Sequence, residues 1–101
     1  MDDDVRNKLR REIMSCHWED LAPHQQRGAL LLLLPEFDLL DVAEAMARDD
    51  KQRVTGWLKS GALRRAGEAD RVRYEHESDE VSEVRFQFVV VQPWVLGQAL
   101  E

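Results

Sequence analysis

The chain has 101 residues and a net charge of −6, and 44% of its residues are hydrophobic while 34% are charged. This length suits one domain, residues 1–101, and the mixture excludes both a disordered tail and a membrane protein. No apolar run approaches the roughly 18 residues that cross a bilayer, and the acidic start lacks a secretion signal. The single cysteine, Cys16, excludes an internal disulfide, so we expect a cytoplasmic protein with no membrane partner.

The N-terminal part of the chain is predicted to be helical. Apolar residues recur at helical spacing over residues 2–16, which predicts an amphipathic helix. A second helix is predicted from Trp18 to Arg27, with Gly28 as its left-handed stop. Pro23 lies inside this segment and is tolerated only near a helix start, so two turns with a break remain an alternative.

A pair of helices over residues 38–60 forms the centre of the prediction. Asp38 is expected to cap the first helix, whose apolar residues share one face. Asp49 or Asp50 is expected to cap the second helix, and Gly61 to end it. The second helix is predicted to bury Val54, Trp57 and Leu58. We interpret this helix pair as a structural hub onto which the rest of the chain packs.

Four strands are predicted to form the sheet, at residues 29–34, 62–66, 71–76 and 84–92. The first is a continuous apolar run, typical of a central strand covered on both faces. Residues 62–66 and 71–76 are interpreted as a hairpin because apolar and charged residues alternate in 71–76, although a short helix there is the alternative. The predicted fold is α+β: N-terminal helices, the helix pair, and a small mixed or mostly antiparallel sheet.

Five strings in the sequence point to a known family: WEDL at Trp18–Leu21, the apolar run at Gly28–Leu34, FDLLDVA at Phe37–Ala43, the DDK…V…WL…G series at Asp49–Gly61, and VVVQPWVLGQ at Val89–Gln98. Together they resemble a bacterial family catalogued as domain of unknown function 2288. The resemblance implies a small cytosolic protein with no assigned activity. The sequence departs from the family pattern at Gly97, where a large apolar residue is more usual, and in the segment Arg64–Glu83, which does not align with the pattern.

A weaker similarity is to winged helix-turn-helix modules, which carry the order helix, helix, strand, strand. Residues 48–73 contain eight basic and four acidic residues and are therefore +4, while the rest of the chain is −10. Nucleic-acid binding is accordingly one hypothesis, although Asp49 and Asp50 at the helix start repel phosphate. Its candidate residues are Lys51, Gln52, Arg53, Thr55, Lys59, Arg64, Arg65, Arg71 and Arg73.

Motifs for enzymatic chemistry are weak in this sequence. His17, Asp20 and His24 share a face on an unbroken helix and are metal-ligating types, with Cys16 adjacent, but Pro23 disturbs that spacing and there is no HExxH or paired-cysteine motif. We therefore predict no metal, no cofactor and no catalytic residue. A metal or small-molecule enzyme is the third and unsupported hypothesis.

The favoured function is a non-enzymatic interaction or regulatory module that works through a protein partner or as a homo-oligomer. Trp94, which follows a proline, and Leu96 are the candidate partner-binding residues, because exposed aromatic residues often contact partners. The apolar strand at 86–91 also needs protection if it lies at a sheet edge. Either a homodimer or the N-terminal helix is expected to supply that protection.

Overall fold

The computed structural model describes residues 3–74 and 84–100. Within these residues the chain forms five helices and five strands. In chain order they are α1 Asp3–Glu12, β1 Met14–Cys16, α2 Trp18–Gln26, β2 Leu30–Leu33, α3 Leu39–Ala47, α4 Lys51–Ser60, β3 Leu63–Arg65, α5 Glu68–Tyr74, β4 Arg85–Val91 and β5 Trp94–Leu100. The predicted α+β class is confirmed.

The strands form one mixed sheet in the order β1-β4-β5-β2-β3. The β2–β5 pair is parallel and the other three pairs are antiparallel. The predicted strands at 29–34, 62–66 and 84–92 correspond to β2, β3 and β4. The apolar strand 86–91 does not lie at an edge, because β4 is hydrogen-bonded to β1 on one side and to β5 on the other. The edge strands are β1 and β3.

Helices cover both faces of the sheet. On the face that we call the α3 face, α1, α3 and α4 pack over side chains that include Leu31, Leu33 and Leu96. On the opposite face, which we call the α2 face, α2 and α5 pack over a cluster that includes Leu30 and Leu32. Because successive side chains of a strand point to opposite faces, the uninterrupted leucines of β2 supply both cores. This explains why the run shows no alternation.

The caps of the central helix pair are confirmed. The Asp38 carboxylate accepts a hydrogen bond from the Leu40 backbone N–H at 2.9 Å, and Asp50 accepts one from the Arg53 N–H at 3.3 Å. Gly61 ends α4 with a φ of 84°, a conformation that glycine adopts without steric cost. The sequence predicts these caps correctly because a capping residue forms its hydrogen bond with a backbone group two or three positions away in the chain.

Of the two helices predicted in the N-terminal part, the first needs correction and the second is confirmed. The helix predicted over 2–16 ends at Glu12, and residues Met14–Cys16 form β1, which pairs with β4. A strand of three residues is too short to show a period of its own, so the helical spacing of Ile13 and Cys16 was misleading. The second helix is unbroken from Trp18 to Gln26 although it contains Pro23.

The strand predicted at 71–76 is also wrong, because residues Glu68–Tyr74 form helix α5; residues 75 and 76 lie outside the described residues. Asp70 accepts a hydrogen bond from the Gly67 N–H at 2.9 Å and receives two from the Arg64 guanidinium, at 2.6 and 2.7 Å. Val72 is 66% exposed, so its alternation with charged residues did not reflect a buried strand face.

Strand β5 was not predicted, since Gly97 and Gln98 interrupt its apolar pattern. A Cβ at Gly97 would lie 3.4 Å from a Leu21 methyl and 3.5 Å from a Leu30 methyl, so α2 packs directly on the backbone here. Gln98 is 4% exposed, and its amide N–H groups donate to the backbone carbonyls of Leu34 and Phe37 at 2.9 and 2.6 Å. These contacts hold the loop that leads into α3.

The Asp70→Asn substitution is expected to lower the free energy of unfolding at neutral pH by about 2 kcal/mol, because it removes charge-assisted hydrogen bonds. The Arg64 guanidinium holds the pKa of the Asp70 carboxyl below its ordinary value. The depressed pKa stabilises the fold above the unfolded-state value of about 3.9, and this stabilisation is lost as the pH falls through the folded-state pKa. Urea unfolding at a series of pH values measures the effect.

The matched control is Glu68→Gln, since Glu68 pairs with Arg71 at the surface of the same helix. The control should change the unfolding free energy by less than about 0.5 kcal/mol. Equal losses in the two variants at neutral pH would contradict a special role for the Arg64–Asp70 pair.

Candidate functional site

Helix α4 is the least buried helix on the α3 face. None of its residues is fully buried: Val54 and Trp57 are half-buried, and Leu58, which was predicted to face inward, is 47% exposed. Helix α3 takes the central position over the sheet with five buried residues. The prediction for Leu58 is wrong because α4 lies beside β3, where less apolar surface is available to cover it.

A cleft of about 510 Å³ lies between α4 and the α3 face of the sheet. Pockets that hold small molecules commonly have volumes of roughly 300–1,000 Å³. Val54 and Leu58 form the α4 wall, and Leu31 and Leu63 contribute the sheet surface. The apolar character of both walls makes the cleft suitable for apolar groups of a partner.

The end of the cleft is formed by the β4–β5 turn, which contributes Val91, Gln92, Pro93 and Trp94. The Gln92–Pro93 peptide bond is cis. Two of the strings that carry the family resemblance, DDK…V…WL…G and VVVQPWVLGQ, are far apart in sequence, and residues of both line this cleft.

Both acidic and basic side chains line the cleft. Asp49 and Asp50 come from the α3–α4 junction, and Asp50 is engaged as the helix cap. Lys51 and Arg65 also line the cleft, and within residues 3–74 and 84–100 neither has a carboxylate within ion-pair distance. The Arg65 guanidinium carbon lies 5.2 Å from the centre of the Trp94 ring, a cation–π arrangement.

The nine residues of the nucleic-acid hypothesis do not lie on one face of the sheet. Five belong to α4 on the α3 face, and Arg65 shares that face, whereas α5 packs on the α2 face with Arg71 and Arg73. Arg64 points to the α2 face and pairs with Asp70, and Arg71 pairs with Glu68. The wing hairpin is not formed either, because β3 pairs with β2 and the following segment is helical.

The outer side of α4 has its own shallow depression. Lys51, Gln52, Thr55, Gly56 and Lys59 line it. Arg53 lies on another side of the helix, with its guanidinium carbon 5.0 Å from the Trp57 ring centre. Lys51 and Thr55 therefore belong both to this depression and to the cleft.

The two predicted partner-binding residues have different positions. Trp94 is half-buried and lines the cleft, so part of its ring is available for contact. Leu96 is fully buried in the α3-face core, at 0% exposure, and offers no contact surface in this conformation. Both residues point to the α3 face of the sheet. Leu96 lies inside the core cluster of that face, whereas Trp94, at the start of β5, is only partly buried against it.

Chemistry-bearing side chains are dispersed in the described part of the chain. Burial raises the pKa of the Cys16 thiol to about 11, which keeps it protonated and unreactive at neutral pH. No group of three or more His, Cys, Asp or Glu side chains among the described residues is arranged to hold a metal ion. His17 lies at the start of α2, and its backbone N–H donates to the Asp20 carboxylate at 3.1 Å.

The described helices are also too short or too polar to span a membrane.

A five-stranded mixed sheet between two helical layers, with an open apolar cleft at one side, defines a three-layer α+β protein. A family model described as "Protein of unknown function (DUF2288)" matches residues 4–99, so the chain belongs to this family. Its fold is similar to the NMR solution structure of PA1075 from Pseudomonas aeruginosa, with a TM-score of 0.78 and 36% sequence identity over 93% of this chain and 82% of that chain. A search of curated proteins gave no match.

Proposed function

We propose that this protein is a cytoplasmic interaction module that binds a peptide segment of a partner protein in the cleft between α4 and the sheet. The observation that carries the proposal is the half-exposed Leu58 beside a cleft with apolar walls. Exposed apolar surface that is rimmed by polar groups is typical of interaction sites. Such a module needs no reactive group, which agrees with the protonated, buried thiol of Cys16.

The β3 edge of the sheet, with which no further strand of residues 3–74 and 84–100 pairs, supports a peptide as the occupant. Ala62 and Ala66 flank β3 and extend its pairing with β2: the Leu34 N–H donates to the Ala62 carbonyl, and the Ala66 N–H donates to the Leu30 carbonyl. In an antiparallel pair, alternate residues point their backbone groups to opposite sides. Leu63 and Arg65 therefore direct N–H and C=O groups away from β2, and both residues also line the cleft. An extended peptide can pair with this edge and place alternate side chains in the cleft.

Selection of random peptides displayed on phage, with the immobilised full chain as bait, tests this function. We expect enrichment of peptides that contain two or more apolar side chains at alternating positions, because an extended strand presents every second residue to one face. Synthetic copies should bind the chain in solution with micromolar affinity, measured by fluorescence anisotropy. A failure to enrich any peptide over an uncoated surface would contradict the proposal.

A second copy of the chain is the other occupant to distinguish, and sedimentation velocity over a range of concentrations does so. If the protein is a monomer that binds the selected peptides, the partner is a different protein. If it is a dimer and the same peptides dissociate it, the partner segment belongs to the chain itself.

Nucleic-acid binding through α4 is a second candidate function. Its supporting observation is that Lys51, Arg53 and Lys59 have no carboxylate within 4 Å among the described residues. The separation of Arg71 and Arg73 on the opposite face reduces the number of phosphates that one surface can contact. A gel-shift assay at about 50 mM salt should show no complex if the peptide-binding function is correct.

A further inference from the structure

We infer that the peptide segment bound in the cleft carries a carboxylate, and that Arg65, held against Trp94, binds this carboxylate. This inference rests on the proposed function, because it specifies the chemistry of the segment that the cleft accepts. It adds a charged residue at a defined position of an otherwise apolar ligand.

The first support is that Arg65 has no partner of opposite charge within the described residues. The guanidinium groups of Arg6 and Arg64, by contrast, contact the carboxylates of Glu44 and Asp70 at 2.6 Å. Arg65 instead lies over the Trp94 ring. Stacking on an aromatic face restricts the guanidinium plane and leaves its N–H edge available, and that edge matches a carboxylate with two parallel hydrogen bonds.

The second support is the charge on the sheet side of the cleft, because over the whole lining the aspartates Asp49 and Asp50 balance Lys51 and Arg65. Asp50 is occupied as the cap of α4, where the partial positive charge of the helix start offsets its carboxylate. Lys51 lies beside Asp49 and Asp50 at the α3–α4 junction, whereas Arg65 comes from β3 and has no carboxylate within 4 Å among the described residues. A ligand with an acidic residue beside its apolar residues therefore matches the cleft better than an entirely apolar ligand, and charge matching across an interface favours the correct partner.

The experiment measures the affinity of the selected peptides for Arg65→Gln and for Arg53→Gln. The two arginines are a matched pair: both are exposed and both stack on a tryptophan, but only Arg65 lines the cleft. We expect Arg65→Gln to weaken binding about tenfold, whereas Arg53→Gln should change it less than about twofold. Arg65→Lys should recover part of the loss, because it keeps the charge without the planar fork.

The outcomes separate this inference from the proposed function. Enriched peptides that lack Asp and Glu, and whose affinity is unchanged by Arg65→Gln, would overturn the inference and leave the peptide-binding function in place. An absence of enriched peptides would overturn the proposed function itself. Equal losses of peptide affinity in Arg65→Gln and Arg53→Gln would also overturn the inference, because they would indicate a diffuse basic surface. A complex with nucleic acid in the low-salt gel-shift assay that both substitutions weaken equally would then support nucleic-acid binding.

Discussion

Replacement of Trp18 by alanine is expected to lower the free energy of unfolding by about 3–5 kcal/mol, a large part of the stability of a small domain. Trp18 is 1% exposed and is the largest fully buried side chain. Its ring centre lies 5.4 Å from that of Tyr74 and 6.0 Å from that of Phe86, so it joins α2 to α5 and to the sheet. Urea denaturation followed by far-UV circular dichroism measures the loss.

Trp18→Phe is the informative control for that substitution. The indole N–H of Trp18 is buried and has no hydrogen-bond partner in the described part of the chain. Phenylalanine keeps an aromatic ring in the cluster and removes the unpaired donor, whose burial costs about 1–3 kcal/mol. The loss should therefore be much smaller than for alanine. If both substitutions destabilise the protein equally, packing of the aromatic ring is not the main contribution of Trp18.

The second large effect concerns binding, and it is expected for Leu58→Gln. This substitution should lower the affinity for the selected peptides about tenfold, because a partly exposed leucine that becomes buried on binding contributes up to about 1.5 kcal/mol to the binding free energy. The effect on folding should be below about 0.5 kcal/mol, since Leu58 is 47% exposed in the free protein. Glutamine is neutral, so the apolar contribution is measured separately from the charge at Arg65.

Val72→Gln is the control for the cleft substitution. Val72 is also an exposed apolar residue of a helix, at 66% exposure, but it belongs to α5 on the opposite side of the sheet. Its replacement should leave peptide affinity within about twofold of the wild-type value. A similar loss in both variants would show that binding depends on general surface hydrophobicity and not on the cleft.

Several parts of this fold were predictable because their signals are local. Asp38, Asp50 and Gly61 fix the ends of the two central helices through contacts with their own neighbours. The continuous leucines of β2 and the apolar pattern of β4 are typical of strands, and this signal does not depend on the position of the strand in the sheet.

The missed elements depend on contacts with residues that lie outside the element itself. Strand β1 exists because β4 pairs with it, and Gln98 is buried in β5 because Gln87 and two backbone carbonyls satisfy its amide. Helix α5 is held by Arg64, which contacts Asp70 from β3. None of these partners is adjacent in sequence, so local periodicity does not reveal them.

The candidate site shows the same division. Trp94 was predicted to bind a partner, and Lys51, Thr55 and Arg65 were predicted to bind nucleic acid. All four line the cleft, which the sequence did not predict. The exposure of Leu58 was not predicted, because its position in the helical pattern is that of a core residue. It is exposed only because α4 lies beside β3 instead of over the centre of the sheet. The position of α4 depends on how the three helices of the α3 face divide the surface of the sheet. The apolar pattern within one helix carries no information about that division.

The central claim is that the cleft between α4 and the sheet is the partner-binding site. Its most direct test is a titration of the isotopically labelled protein with a selected peptide, followed by two-dimensional amide NMR spectra. We predict that the largest shift changes fall on Leu31, Val54, Leu58, Leu63 and the Trp94 indole. Changes concentrated on α5 around Val72, or on β1 around Met14, with the cleft residues unaffected, would contradict the claim.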